Sequence, residues 1–154
     1  MNELTTEMPN EVASLLIPTL LGKPLLLPNV SVAEIVPLPE IVVEEKSPGW
    51  HLGEVPWRGV HINIISLEAL NGEVLQEPSR ETHMAVFNGF KNSKKMPFYA
   101  IMVQGIPRLV RVFPEEIGKA DGELGDAQEM HVLINGEPAV MPNLDYIEQQ
   151  LLAL

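Results

Sequence analysis

Phe98-Tyr99-Ala100-Ile101-Met102-Val103 is the stretch on which the fold turns. Successive side chains of a strand point to opposite faces. Here both alternating sets, Phe98, Ala100 and Met102 on one side and Tyr99, Ile101 and Val103 on the other, are apolar. A strand dry on both faces belongs in the middle of a sheet with a layer packed on each side. The run 60–66 differs: Val60, Ile62 and Ile64 form a dry face, while His61, Asn63 and Ile65 form a mixed one.

Working outward, the remaining apolar residues also come in short runs bounded by Gly, Pro and Asn, which is the pattern of antiparallel strands rather than of helices. Strands are predicted over 14–20, 23–27, 33–36, 51–55, 60–66, 82–87, 98–103, 109–113, 130–134 and 139–141. Asn-Gly occurs at Asn71-Gly72, Asn88-Gly89 and Asn135-Gly136, and both residues accept the positive φ of a type I′ hairpin. The last pair is the clearest hairpin. Pro138, which cannot donate to a ladder, points to an edge position for the strand that follows it. A terminal amphipathic helix is predicted after Pro142, with Asn143 as N-cap, Asp145 in the first turn and Leu144, Ile147, Leu151 and Leu154 at helical spacing. One further helical turn at 29–32, capped by Asn29, competes with a plain strand there. Residues 1–12 are expected to be a flexible segment ahead of a single domain over 13–154, and residues 118–129, with four acids and three glycines, an exposed acidic loop.

Composition narrows the function. The 154 residues carry 10 Lys plus Arg against 21 Asp plus Glu, a net charge of −11, which repels phosphate backbones and anionic headgroups. Nucleic acid is not an expected partner. The chain has no cysteine, so disulfides, thiolate metal sites and thiol nucleophiles are excluded, and a reducing, cytoplasmic setting fits. Pro and Gly, 14 and 11 residues, punctuate the chain too often for long helical bundles. The opening residues carry no basic stretch ahead of an apolar run, so no signal peptide is expected there. The most apolar region, 12–39, is broken by Lys23, Glu34, Pro18, Pro24, Pro28 and Pro37, so no membrane-spanning run is expected.

No motif points to catalysis. His51, His61, His83 and His131 never stand at metal-ligand spacing. No serine sits in a G-x-S-x-G elbow. The glycines at 118, 122 and 125 lack the spacing and the preceding strand of a dinucleotide loop. Catalytic, cofactor and metal residues are therefore all read as none.

What remains is Gly53-Glu54-Val55-Pro56-Trp57-Arg58-Gly59 ahead of the strand that begins at Val60. With Val32-Ala33-Glu34-Ile35 upstream, Leu25-Leu26-Leu27-Pro28 before it, and the strand pair from Phe98 to Val112 downstream, this order resembles the CheW-like chemotaxis coupling family over residues 13–141. Within that family the proline-rich Leu-Leu-Leu-Pro-Asn start looks most like the divergent, ChpC-type members of chemosensory systems that control type IV pili and twitching. Pro56-Trp57, Ser66, Glu68 and Gln104 depart from the family's more usual residues, which bears on partner identity more than on fold. The resemblance implies an all-β fold of two five-stranded SH3-like β-barrels sharing one core, plus the short C-terminal helix. It implies a non-catalytic adaptor between the cytoplasmic tip of a methyl-accepting chemoreceptor and the regulatory domain of a CheA-type histidine kinase, with no cofactor and no direct membrane insertion.

The candidate protein-binding residues are Arg58, Trp57, Glu34, Val32, Ile35, Gly53 and Gly59. A guanidinium flanked by glycines offers five donors to a partner; the alternative is an ion pair across the barrel. Trp57 is an interface anchor or a core residue. Glu34 accepts from a partner or from a neighbouring turn. Val32 and Ile35 are the apolar part of the same patch or part of the core. The competing functions are a small metabolite-binding β-barrel, an enzyme subunit, and a subunit of an unrelated assembly that uses its acidic face.

Overall fold

A computed structural model describes residues 11–154 of the chain. Eleven strands form: β1 (Val12–Ile17), β2 (Leu25–Pro28), β3 (Val32–Pro37), β4 (His51–Trp57), β5 (Val60–Ile65), β6 (Thr82–Asn88), β7 (Phe98–Gln104), β8 (Arg108–Val112), β9 (Ile117–Lys119), β10 (Gln128–Ile134) and β11 (Glu137–Pro142). Two helices, α1 (Leu67–Leu70) and α2 (Leu144–Leu152), complete the set. All ten predicted strands are present with shifted ends. The expected flexible segment lies, up to residue 10, outside the described residues; Val12 pairs with Val112 in β8.

The strands make two sheets, ordered β8-β1-β2-β11-β10-β9 and β3-β6-β7-β5-β4. The fold is mostly β with a short C-terminal helix, as expected. The first sheet has six strands rather than five because β9 adds at its edge. β7 is the middle strand of the second sheet, and its two faces serve different interiors. Tyr99, Ile101 and Val103 enter a core shared between the sheets, with Ile17, Leu25, Ile65, Phe87 and Ile147. Ala100 and Met102 enter a second core within the five-stranded sheet, with Val55, Trp57, Ile64 and Met84. A third core, around Leu16, Leu26, Val132 and Ala139, fills the six-stranded sheet.

Asn135-Gly136 forms the predicted hairpin, with φ of 49° and 83° and Ile134 opposite Glu137. The other two Asn-Gly pairs do not. Asn71 caps the end of α1, and Asn88-Gly89 leads from β6 into a loop running to β7. α1 is absent from the sequence reading: its cap is Ser66, whose Oγ accepts from the Ala69 N–H at 3.1 Å. At Asn29–Ser31 the single turn is 3-10, preceded by Pro28 and with no side-chain cap. β11 is not an edge strand, since it lies between β10 and β2. Its pairing to β2 is registered at Val140 with Leu25, so the missing N–H of Pro138 lies beyond that contact. The 118–129 segment is tethered rather than loose: β9 overlaps its start, the His131 ring packs on Gly122, and Ala127 is wholly buried with its N–H on Asn71 Oδ1 at 3.0 Å.

α2 is capped as predicted, Asn143 Oδ1 accepting from the Tyr146 N–H at 3.0 Å. Ile147 and Leu151 face the shared core, while Leu154 lies past the helix end and is exposed. The helix carries a fully buried carboxylate, Glu148. It accepts from the N–H of Phe90 at 2.6 Å, the N–H of Asn92 at 3.2 Å, Asn92 Nδ2 at 3.3 Å and the Tyr99 hydroxyl at 3.3 Å. Burial, and then the Glu148 charge, push the Tyr99 hydroxyl far above its ordinary pKa, so it stays a neutral donor. One carboxylate thus ties α2, the β6–β7 loop and the central strand together. A second acid, Glu68 on α1, accepts from the Leu20 N–H at 3.0 Å. Burial raises its pKa above the ordinary 4.5, against the backbone donors that lower it, and Glu73 repulsion raises it further.

Two predictions follow from these buried acids. Glu148→Ala leaves two backbone N–H groups of the loop without their acceptor and is expected to cost about 3–5 kcal/mol in urea unfolding. Glu68 binds its proton more tightly folded than unfolded. Its contribution to stability is therefore full below pH 4.5 and declines as pH rises through the folded-state pKa. Glu68→Gln, which keeps an oxygen for the Leu20 N–H, should flatten the stability–pH profile above pH 4.5 in thermal melts.

Candidate functional site

The candidate site is built around the β4–β5 hairpin. Trp57 pairs with Val60, so Arg58 and Gly59 alone make the turn, with φ of 48° and 81°. These are type I′ values. Gly59 takes them freely, whereas a residue with a Cβ pays roughly 1–2 kcal/mol in this region. Arg58 is held there by its side chain. The guanidinium lies 4.7 Å above the Trp57 ring centroid, and its Nη2 is 3.2 Å from Glu34 Oε1. The same Glu34 oxygen accepts from the Trp57 indole N–H at 2.9 Å.

Glu34 reaches Trp57 because β3 carries an irregularity. Val32 stands opposite Phe87 and Glu34 opposite Val86, so Ala33 is the extra residue of a bulge. Val86 belongs to the core of the five-stranded sheet, and Ala33 and Val36 pack against that core. Glu34 sits at its rim. β3 and β4 are the two edges of this sheet, and the Glu34–Trp57 hydrogen bond joins them. Trp57 itself is 7% exposed and packs on Phe98, ring centroids 4.8 Å apart.

The structure therefore brings together Glu34, Trp57, Arg58 and Gly59. Val32 and Ile35 share the strand but pack against the shared core. Gly53 is elsewhere: four residues before Trp57 along β4, roughly 13 Å at strand rise. Its φ is 138°, and a Cβ there would meet the Val42 carbonyl oxygen. Val42 bridges to Glu54 through two backbone hydrogen bonds, of 2.8 and 3.0 Å, so Gly53 lets the chain after β3 lie against β4 rather than flanking Arg58. The sequence reading missed Phe98 as the partner of Trp57. It also missed Arg58-Gly59 as a two-residue turn, although Gly59 between two strands was a signal for one.

Charge and exposure divide the cluster. Arg58 is 64% and Glu34 38% exposed in their side chains, so their ion pair is solvent-screened and worth about 0–1 kcal/mol. The indole bond is the structural one. Arg58 uses few of its five donors and stands out from the surface beside Val60, itself half exposed. The histidines are dispersed. His51 Nε2 is 2.9 Å from Asn63 Oδ1, His83 Nδ1 is 2.8 Å from the Glu81 carbonyl, and His61 lies 4.0 Å from Glu54. Among the described residues no three metal-ligating side chains converge, and no helix is long and apolar enough to cross a membrane.

Removing the Val42 clearance at Gly53 tests this geometry. Gly53→Ala, with a Cβ against a backbone carbonyl and φ in the left-handed half of the map, should destabilise the domain by about 2–4 kcal/mol by urea titration.

No curated protein matches the chain in sequence. Fourteen chains of solved structure match it. Among them is the crystal structure of the scaffolding protein TtCheW from Thermoanaerobacter tengcongensis, with a TM-score of 0.71 and 14% identity, covering 86% of this chain and 89% of that one. The likeness in structure bears on the fold. The family model described as the CheW-like domain matches residues 15–150. By that match the chain belongs to the CheW-like domain family, the non-catalytic scaffolds of chemosensory signalling.

Proposed function

We propose that this chain is a cytoplasmic adaptor whose Arg58 surface docks a protein partner: the tip of a methyl-accepting chemoreceptor or the regulatory domain of a CheA-type kinase. Membership of the family implies the coupling of chemoreceptors with such a kinase. The observation that carries the site is Arg58 itself. It occupies a positive-φ position that Asn or Gly fills at less cost, and its exposed guanidinium rests on a tryptophan face. A strained backbone kept for an exposed side chain favours a role outside folding.

In this reading Arg58 contacts the partner, and Trp57 and Glu34 hold it in place. Gly59 permits the turn, and Val32 and Ile35, packed against the shared core, seat β3 beneath Glu34. Gly53 acts indirectly, by seating the Val42 segment. The proline-rich start before Asn29 supports assignment to the ChpC-type members that serve pilus-driven twitching.

Two substitutions separate docking from folding. Arg58→Asn suits the left-handed turn and should raise stability by about 0.5–1 kcal/mol, while weakening binding to the purified kinase regulatory domain or to receptor-tip fragments at least tenfold by calorimetry. Arg58→Glu should abolish that binding, with a melting temperature within a few degrees of the parent. Full-strength binding by both variants removes Arg58 from the interface.

A further inference from the structure

Away from the Arg58 surface, a cleft of about 190 Å³ opens at the seam between the two sheets. The β1–β2 turn (Thr19 to Lys23) forms one wall, and α1 with Asn71 and Glu73 another; Leu25, Leu67 and Val140 supply apolar lining. Glu68 also lines it, although that residue is only 5% exposed.

Glu68 has hydrogen-bond donors but no counter-cation. One carboxylate oxygen accepts from the Leu20 N–H at 3.0 Å and the other faces the Ser66 hydroxyl at 3.5 Å, with the N–H groups of Leu21 and of Glu68 itself also favouring the charged form. Among the described residues no Lys, Arg or His comes within 4 Å of it. Burying an ionised carboxylate without a counter-cation costs several kcal/mol, and here the buried charge borders open space rather than packed side chains. Lys23, the basic residue of the wall, is already directed elsewhere. Its Nζ lies 3.3 Å from His131 Nδ1, while His131 Nε2 donates to the Glu123 carbonyl at 2.7 Å. The acidic character of the cleft is reinforced by Glu73, whose charge raises the Glu68 pKa.

We propose that this cleft binds a small primary-ammonium ligand with a short apolar body, its N–H donors on Glu68 and its carbon chain against Leu25, Leu67 and Val140. At about 30 Å³ for each water-sized group, the volume takes roughly six such units, which suits an alkyl amine of that length. The inference is independent of the adaptor reading, because no residue of the Arg58 cluster lines the cleft.

The test titrates the full chain with n-pentylammonium, and separately with n-pentanoate and n-pentanol at the same ionic strength. The ammonium should raise the melting temperature saturably, on the order of 5 °C near a hundredfold excess over Kd, with neither analogue matching it. Amide shift perturbations in the parent protein should centre on Leu20, Leu21, Lys23, Asn71 and Gln128. Glu68→Gln should lower the affinity at least tenfold. Equal effects from pentanoate or pentanol, perturbations centred elsewhere, or no saturable binding would each overturn the proposal, and the parent-protein mapping decides even if the variant folds poorly.

Discussion

The double-sided burial of β7 is the constraint from which the rest of the architecture follows. Tyr99, Ile101 and Val103 need one apolar layer and Ala100 and Met102 another, so the five-stranded sheet cannot be a surface sheet. The six-stranded sheet and α2 cover the first face. The second face is closed by its own sheet curling around it, with Trp57 at the rim. Each of those solutions then sets a further condition. The curled sheet has two edges, β3 and β4, that must be joined without a continuous ladder.

Polar groups do that joining, and their burial separates structural from exposed roles. Glu148, fully buried, collects four donors from the loop and strand beside it and clasps α2 to the domain. Glu34 collects the Trp57 indole N–H and links the two edges of the five-stranded sheet. Arg58 shares the same carboxylate oxygen yet stands mostly in solvent. A nearly buried indole N–H left without its acceptor costs more than a screened surface pair contributes. That is why the indole contact belongs to the fold and the guanidinium is free to serve a partner.

Legibility from the sequence varied with the range of the interaction. The central position of β7, the Asn135-Gly136 hairpin and the Asn143 cap rest on neighbours a few residues apart, and period, turn chemistry and capping preference express them directly. α1 was missed because four residues carry no helical period, although Ser66 ahead of Leu67 was a capping signal. β9 was hidden in a glycine-rich acidic segment because a three-residue edge strand owes its existence to β10 beside it. For the site, residue types pointed to Glu34, Trp57 and Arg58 one at a time. Whether they met depended on the bulge in β3, and nothing in Val32-Ala33-Glu34-Ile35 itself displays it.

The sequence alone determined the class of protein: short strands punctuated by proline and glycine, no cysteine, net negative charge, and a motif order that resembles CheW-like domains. Those properties are local or additive, so they do not depend on how the chain packs. Only the tertiary structure decided that Gly53 yields to the Val42 carbonyl rather than flanking Arg58, and that Glu34 serves Trp57 and Arg58 together. It also decided that Glu68 lies buried beside an open cleft. Each is a contact between residues distant in the chain, and its geometry is set by how two curved sheets pack, which no run of neighbouring residues encodes.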